Sequence, residues 1–220
     1  TTWERVLIND EDVQIIPNGV DLGRIERAQS GSENICDSFD IPTESIVVGT
    51  AALLTEQKAI DVLIEGIARA NEQRTERLDL VVAGDGPLRK DLEQLAGQLG
   101  IGEYVHFAGR VDRETVYRIL DEIDIYAMPS LGEGFSAAAV EGIALGNPAV
   151  FSTIPPFTEP YGDIARFHPV GDDEALADHI VALANDSAAR KRLAEAGREL
   201  VEDRYKIEHV AEQYRDLYRD

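Results

Sequence analysis

Cysteine and long apolar runs are scarce in this 220-residue sequence. The one cysteine, Cys36, excludes an intrachain disulfide framework and a cysteine-rich zinc site, and we interpret it as a small apolar filler in a reducing compartment. No apolar run approaches the roughly 18 residues that a membrane span needs, and the polar segment 1–12 does not resemble a signal peptide. These absences predict a cytoplasmic protein.

Positive charge is equally scarce, because 21 Lys and Arg residues face 42 Asp and Glu residues and leave a net charge of −21. Lysine occurs only at positions 58, 90, 191 and 206, so arginine supplies most of the cations. The balance argues against nucleic acid and against an anionic membrane as the main partner, since both would repel the chain. An acidic, lysine-poor surface without long charge blocks is typical of a halophilic protein.

Adaptation to high salt predicts that the melting temperature falls when salt is removed, because repulsion among the carboxylates is then unscreened. Thermal unfolding at molar and at millimolar sodium chloride measures the effect. An unchanged melting temperature would contradict the interpretation.

The order of apolar runs predicts the fold. Strands are expected at 46–50, 78–83, 104–108, 123–128, 148–152 and 164–168, after a short candidate at 13–16. Helices are expected at 2–9, 58–71, 88–99, 113–121, 137–145, 174–185, 187–202 and 207–218, while residues 22–42 predict no more than a helical turn or two. Strands that alternate with helices predict an α/β fold of Rossmann-like type, a parallel sheet with helices on both faces, in a single domain over residues 1–220.

The loops at the carboxyl ends of these strands are where such sheets bind ligands. Lys58 follows the first strand, where it could reach a phosphate or be an ordinary solvated lysine at the start of a helix. The turn Gly84-Asp85-Gly86 brings backbone close to a ligand, although it is a weak dinucleotide signal. Gly109-Arg110-Val111 could place backbone against a base.

The loop and helix at 129–141 carry the strongest signal. Glu133 lies in the loop and Glu141 in the helix, and both carboxylates suit hydroxyl groups. Between them, Gly134, Phe135, Ser136 and Ala137 open the helix, whose free amides suit a diphosphate. Ser136 is also a plausible N-cap without any ligand. Phosphate and hydroxyls together predict a nucleotide-sugar. The histidines lack metal-ligand spacing and segment 10–12 reads as an exposed acidic turn, so no metal site is predicted.

Four motifs in order resemble the C-terminal, donor-binding domain of a GT-B glycosyltransferase of the family 4 type (glycosyl transferases group 1), over roughly residues 13–203. They are Pro17-Asn18-Gly19-Val20-Asp21, Gly84-Asp85-Gly86-Pro87-Leu88, Phe107-Ala108-Gly109-Arg110-Val111 and Pro129-Ser130-x-x-Glu133-Gly134-Phe135-(x5)-Glu141. The resemblance implies retaining, metal-independent transfer of a hexose from a nucleotide-diphosphate donor, with no cofactor.

The resemblance also implies roles for the loop residues. Glu141 would hold the ribose hydroxyls, Glu133 the hydroxyls of the donor sugar, and Lys58 the leaving diphosphate. The amides near Phe135, Ser136 and Ala137 would meet the diphosphate or sugar, and Val111 with its neighbours the base.

Two departures from the family pattern stand out. Leu53 replaces an arginine that usually meets the diphosphate, with Thr55 as a possible compensating residue, and Ala59 replaces the glycine that usually follows the lysine. The acceptor-binding half that precedes residue 17 in the family is missing, so we expect a C-terminal piece that binds donor without transferring it. Segment 1–17 would be the lead-in from the missing half. Segment 205–220 would contain a helix that packs either on the missing half or on this domain. Any membrane contact would occur through the missing half.

Two other interpretations remain open. Leu53 and the short length favour a non-catalytic nucleotide-sugar-binding module. A nucleotide-sugar epimerase has the same architecture, but the paired carboxylates Glu133 and Glu141 make it the weaker alternative.

Overall fold

The computed structural model describes residues 16–30 and 36–219. Its strands are β1 (Ile46–Ala51), β2 (Leu78–Ala83), β3 (Val105–Gly109), β4 (Ile125–Met128), β5 (Ala149–Ser152) and β6 (Ala165–His168). They form one parallel sheet in the order β3-β2-β1-β4-β5-β6. The chain leaves β1 toward one edge and returns to its other side at β4. Open α/β sheets bind ligands at the carboxyl ends of their strands near such a reversal.

Helices cover both faces of the sheet, as the alternation of apolar runs predicts. The helices are α1 (Leu22–Gln29), α2 (Ile60–Glu72), α3 (Arg89–Gln98), α4 (Arg113–Asp121), α5 (Ala137–Ala144), α6 (Pro155–Tyr161), α7 (Asp173–Asn185), α8 (Ser187–Arg204) and α9 (Ile207–Leu217). In the described ranges α2, α3 and α7 pack on one face, α1, α4 and α5 pack on the other, and α8 contributes to both apolar cores. No helix in these ranges combines the length and apolar character that crossing a membrane requires.

The prediction that Lys58 opens a helix is wrong. Glu56–Lys58 form a 3₁₀ turn, Ala59 follows in the left-handed conformation with φ 48°, and α2 begins at Ile60. A left-handed residue interrupts the helical path of the backbone. Lys58 therefore projects from a separate turn and not from the start of α2.

Two helices go beyond the prediction: α1 is a helix of about two turns that residues 22–42 allowed without placing, and α6 was not predicted. The first, α1, begins after Asp21, whose carboxylate accepts the N–H of Arg24 at 2.9 Å. The second, α6, begins at Pro155, where proline suits the first helical position. The other predicted elements agree with the structure to within two residues at each end, but the helix at 2–9, most of the strand at 13–16 and the Cys36 side chain lie outside the described residues.

The final helix leaves much of its apolar surface uncovered. Val210 is buried, whereas Ile207, Tyr214, Leu217 and Tyr218 are exposed. The start of α9 pairs with the beginning of the described chain, since the Val20 N–H donates to Tyr205 O at 2.7 Å and the Ile207 N–H donates to Val20 O at 3.0 Å. Packing of the described part of this segment, residues 205–219, on the rest of the domain is therefore limited to its first turns.

A charged network stabilises the opposite end of the sheet from the loops of interest. Asp79 is fully buried near the start of β2 and contacts Arg77 and His106, the latter at 2.8 Å. Burial alone raises the pKa of the Asp79 carboxyl, but the hydrogen bonds from His106 and Arg77 outweigh it and hold the pKa below its usual range. No pattern in the sequence indicates this network.

His168 at the end of β6 makes stability depend on pH. It is fully buried, its Nδ1–H donates to Pro169 O at 2.8 Å, and its Nε2 finds no hydrogen-bond partner among the described residues. Burial lowers the pKa of this imidazole, so the folded chain keeps it neutral while the unfolded chain binds a proton near pH 6.5. The stabilising effect is complete above that pH and is lost as the pH falls.

We expect the free energy of unfolding to decrease between pH 7.5 and pH 5, by about 1.4 kcal/mol for each pH unit in which only the unfolded chain is protonated. Urea unfolding of the wild type and of His168→Gln at both values measures this effect. The variant should show a smaller decrease, because it lacks the imidazole that only the unfolded chain protonates. The carboxylates that also titrate are common to both proteins and contribute equally to both decreases. Equal decreases would contradict the assignment.

Candidate nucleotide-sugar site

A cleft of about 710 Å³ opens at the carboxyl ends of the strands on the β3 side of the reversal. Its walls come from the loops after β1, β2 and β3, the start of α4, and α5. The lining residues are Ala51, Ala52, Leu53, Ala83, Gly84, Asp85, Gly86, Arg110, Val111, Arg113, Val116 and Glu141. The cleft therefore combines an apolar and backbone floor with a few charged groups, which is the usual composition of a small-molecule site.

Two glycines let the loops after β1 and β2 close over each other. Gly84 has φ +153°, and a Cβ there would lie 1.8 Å from the Ala52 carbonyl oxygen. A Cβ at Gly86 would lie 2.5 Å from the Leu54 carbonyl oxygen. The Leu54 N–H donates to Asp85 O at 3.0 Å, so backbone meets backbone directly. The turn Gly84-Asp85-Gly86, which was predicted to bring backbone near a ligand, thus also fixes the floor of the cleft.

Glu141 is the buried acid of the cleft, with only 8% of the residue exposed. The Tyr117 hydroxyl donates to its Oε1 at 2.9 Å, and Arg113 Nη1 lies 3.5 Å from the same oxygen. Burial, followed by the charge of Glu141 and this hydrogen bond, raises the pKa of Tyr117 to about 12. Tyr117 is therefore a permanent donor at neutral pH that fixes one carboxylate oxygen and leaves acceptor capacity on the other.

Lys58 and Glu133 form an ion pair beside the cleft. Their Nζ and Oε1 atoms lie 2.6 Å apart, and the Ser130 hydroxyl donates to the same oxygen at 2.8 Å. The side chains are largely buried, 21% exposed for Lys58 and 7% for Glu133. Two further bonds join the loops that carry them, from the Leu131 N–H to Gln57 O at 2.8 Å and from Gln57 Nε2 to Gly132 O at 2.6 Å.

The amino end of α5 lies between the two carboxylates in sequence. The prediction that Ser136 caps this helix is confirmed, since its Oγ accepts the Ala139 N–H at 3.3 Å. The first amides of a helix have no intrahelical acceptor, so the N–H groups of Ala137 and Ala138 at the start of α5 present donors to an anion, next in the chain to Gly134, Phe135 and Ser136. The Phe135 ring is partly exposed and lies 6.0 Å from the Tyr205 ring.

Tyr126 of β4 holds α5 in place from below. Its hydroxyl donates to Ala138 O at 2.9 Å, and a Cβ at Gly142 would lie 2.4 Å from its ring. Burial raises the pKa of Tyr126 well above its usual value, and the charges of Glu141 and Glu133 add to the effect.

The structure brings most of the predicted site residues together in two adjoining groups. Gly84, Arg110, Val111 and Glu141 line the cleft. Lys58 and Glu133 pair with each other beside it, next in the chain to Gly134, Phe135, Ser136 and Ala137. Leu53 lies in the cleft with 62% of the residue exposed.

Sequence reasoning missed Arg113 and Tyr117, the two residues of α4 that contact Glu141. They are four positions apart on a predicted helix and therefore share a face. Because α4 follows the loop at Gly109-Arg110-Val111, that face lies next to the predicted site. The spacing was thus an available signal.

The chain resembles known proteins over nearly its whole length. The family model described as "Glycosyl transferases group 1" matches residues 32–200. A phosphatidyl-myo-inositol mannosyltransferase of Mycobacterium leprae (strain TN) is 33% identical over 220 residues, covering 98% of this chain and 55% of the relative. The O-antigen biosynthesis glycosyltransferase WclY of Escherichia coli is 27% identical over 206 residues, covering 94% and 55%. The chain thus spans about half the length of the curated relatives it matches.

A solved structure shares the fold. Anabaena Alr3699/HepE, crystallised in complex with UDP-glucose, superposes with a TM-score of 0.83 at 20% identity, covering 96% of this chain and 58% of that one. The family model covers more than half of the sequence, and the cleft and paired carboxylates lie within the matched residues. The chain therefore belongs to the glycosyl transferases group 1 family of glycosyltransferases.

Proposed function

We propose that this chain binds the nucleotide-diphosphate sugar donor of a retaining, metal-independent hexosyltransferase, whose acceptor is held by a domain that precedes it in a longer protein. The observation that carries the proposal is Glu141, a buried carboxylate that opens into the cleft while Tyr117 fixes one of its oxygens. A fixed carboxylate accepts hydrogen bonds from both hydroxyls of a ribose at once, whereas backbone N–H groups can only donate hydrogen bonds.

The neighbouring ion pair suits the sugar and the diphosphate. Glu133 accepts hydroxyls of the donor sugar, and Lys58 stabilises the diphosphate as it gains charge in the transition state. Each partner is held by the other before ligand binds, so neither charge is left buried and unpaired. When the donor binds, its sugar hydroxyls replace Lys58 as the partner of Glu133, and its diphosphate replaces Glu133 as the partner of Lys58.

Leaving-group stabilisation without a metal rests on the amino end of α5 together with Lys58. The amides at the start of α5, from Ala137 onward, are oriented by the helix before the reaction and cost no reorganisation. The acceptor oxygen bonds to the anomeric carbon on the same face from which the nucleotide diphosphate departs, and its proton passes to an oxygen of that departing phosphate, so the configuration is retained. Such a reaction requires no cofactor.

The comparisons support donor binding and the need for a second domain. HepE, which shares the fold, was crystallised with UDP-glucose, and the curated relatives are about twice as long as this chain. The membrane, where it is involved, would meet the preceding domain and not this acidic one.

Calorimetric titration with uridine, guanosine and adenosine diphosphate sugars tests the proposal. We expect at least one to bind, and Glu141→Ala to weaken it about ten- to a hundredfold, since a hydrogen bond to a charged group contributes about 1.5–3 kcal/mol. Glu141→Gln keeps the volume and the Tyr117 contact and separates charge from packing. Glu199→Ala, an exposed acid on α8, is the control for net charge. Unchanged binding by Glu141→Ala would show that the site is elsewhere.

The second candidate function is a nucleotide-sugar-binding module without catalysis. Leu53 favours it, because this exposed side chain brings no charge to the cleft wall that a diphosphate would approach. Joining the chain to its preceding domain and assaying transfer separates the two. Binding without transfer from any common donor would favour the module.

A further inference from the structure

Lys58 and Glu133 bridge the two strands between which the strand order reverses. The chain runs outward from β1 through β2 to β3 and returns beside β1 as β4, and the crevice at such a reversal is where an open α/β sheet binds its ligand. Lys58 follows β1 and Glu133 follows β4, so their 2.6 Å contact spans this crevice. The two hydrogen bonds between Gln57 and segment 131–132 span it as well. A ligand that extends from the cleft into the crevice therefore meets the ion pair.

Opening the ion pair leaves two poorly solvated charges. Among the described residues, Lys58 is the one cation within 4.0 Å of the Glu133 carboxylate, and Glu133 is the one carboxylate within that distance of the Lys58 ammonium. Only 7% of the Glu133 side chain and 21% of the Lys58 side chain are exposed, so water replaces neither partner fully. Separating the two charges is therefore unfavourable unless a ligand supplies a new partner to each.

A nucleotide-sugar and a nucleotide diphosphate differ in what they offer to the two charges. Both carry phosphate oxygens, which accept hydrogen bonds from Lys58. Only the nucleotide-sugar also carries sugar hydroxyls, which donate to Glu133. The ionised oxygens of a diphosphate cannot donate to a carboxylate, and their charge repels it. Glu133 therefore competes with the nucleotide diphosphate for Lys58, whereas the nucleotide-sugar satisfies both side chains.

We propose that the Lys58–Glu133 ion pair is an internal competitor of the leaving nucleotide diphosphate and promotes its release. Transfer breaks the bond between the anomeric carbon and the diphosphate oxygen and forms one to the acceptor oxygen, whose proton passes to the diphosphate. The sugar hydroxyls then leave with the acceptor, so Glu133 loses its donors and reclaims Lys58. The inference rests on the proposed function and adds a mechanism of product release to it.

Calorimetric titration of the 220-residue chain with matched ligands tests the proposal. The ligands are UDP with UDP-glucose, GDP with GDP-mannose and ADP with ADP-glucose, and the couple that binds is compared between wild type and Glu133→Gln. The variant frees Lys58, so the nucleotide diphosphate should bind about tenfold more tightly to it. The nucleotide-sugar should gain less than about threefold or bind more weakly, because it loses a charged acceptor for its hydroxyls.

A second variant changes the affinity in the opposite direction. The Ser130 hydroxyl donates to Glu133 Oε1 at 2.8 Å and is the protein donor that remains when Lys58 turns to a ligand. Ser130→Ala keeps the ion pair and removes this support, so opening the pair becomes less favourable. The nucleotide diphosphate should bind about threefold more weakly, and the nucleotide-sugar should change less because its hydroxyls take over.

Glu195→Gln is the matched control for Glu133→Gln. Glu195 pairs with Lys191 at 3.9 Å on the exposed face of α8, outside the residues that line the cleft. The same chemical change thus alters the net charge equally and also removes a lysine partner. Exposed pairs contribute little, so we expect both ligands to bind within about threefold of their wild-type affinities.

The outcomes separate this inference from the proposed function. A nucleotide diphosphate that binds Glu133→Gln no more tightly than the wild type would overturn the inference, and so would an equal gain by both ligands, while donor binding would stand. If Glu133→Gln does not fold, Ser130→Ala decides, and unchanged or tighter binding of the nucleotide diphosphate contradicts the inference. Absence of binding of all six ligands to the wild type would refute both the inference and the proposed function.

Discussion

Gly84→Ala is expected to lower the free energy of unfolding by about 4 kcal/mol. The φ of +153° is strained for any residue with a Cβ, at about 1–3 kcal/mol, and forcing an extra carbon into closed packing adds about 1–3 kcal/mol. The new Cβ would lie 1.8 Å from the Ala52 carbonyl oxygen, which is backbone and cannot rotate away. The loops after β1 and β2 must therefore separate. Urea unfolding with linear extrapolation gives the difference directly.

Gly97→Ala is the matched control for this substitution. Gly97 lies in α3, and a Cβ there meets nothing within 4 Å. Alanine should stabilise the chain by about 0.5–1 kcal/mol, because glycine in a helix has the greater conformational entropy to lose. The same chemical change thus has opposite signs at two positions. A Gly84→Ala chain as stable as the wild type would show that the two loops do not close over each other as described.

Lys58→Met should lower the free energy of unfolding by about 3 kcal/mol at pH 7. Removal of one partner leaves the Glu133 carboxylate, 7% exposed, without a counter-charge, and breaking a buried pair in this way costs about 3–5 kcal/mol. We expect the lower end of that range, because the Ser130 hydroxyl still donates to the carboxylate. Urea unfolding of Lys58→Met, of Glu133→Gln and of the variant that carries both substitutions measures the effect.

The double variant Lys58→Met with Glu133→Gln separates charge from packing. It removes both charges while the amide of Gln can still accept from Ser130, so its stability should return to within about 1 kcal/mol of the wild type. Glu133→Gln alone should cost less than Lys58→Met, since Lys58 is 21% exposed and can reach water. Additive losses in the double variant would mean that the two side chains do not interact.

Local pattern was sufficient to predict the fold. Each strand is a short apolar run bounded by turn residues, and each intervening helix repeats apolar residues at helical spacing, so βαβ units followed directly. The start of α2 was misplaced because Ala59 adopts a left-handed conformation that alanine rarely takes. The family usually has glycine at this position, and glycine adopts positive φ readily, so the glycine expected there was the available signal that the backbone is left-handed.

The candidate site was predicted as residues and not as contacts. Lys58 and Glu133 are 75 positions apart, and their pairing depends on the loops 52–59 and 129–136 folding against each other. No sequence period encodes such an approach, which results from the parallel pairing of β1 with β4. The roles of Arg113 and Tyr117 likewise depend on how closely α4 approaches α5, and this is set by packing on the shared face of the sheet.

The cations of the site lie on a chain whose net charge is −21, and this contrast affects the kinetics of ligand exchange. A dianionic nucleotide is repelled by the whole molecule at long range and attracted by Lys58, Arg110 and Arg113 only within the last few ångströms. Salt screens the long-range repulsion first, because the Debye length at physiological ionic strength is about 8 Å and shortens further as salt rises. The association rate constant should therefore increase with ionic strength, opposite to the usual behaviour of an anion and its receptor. The dissociation rate constant increases as well, so salt accelerates turnover of the bound nucleotide more than it changes its occupancy.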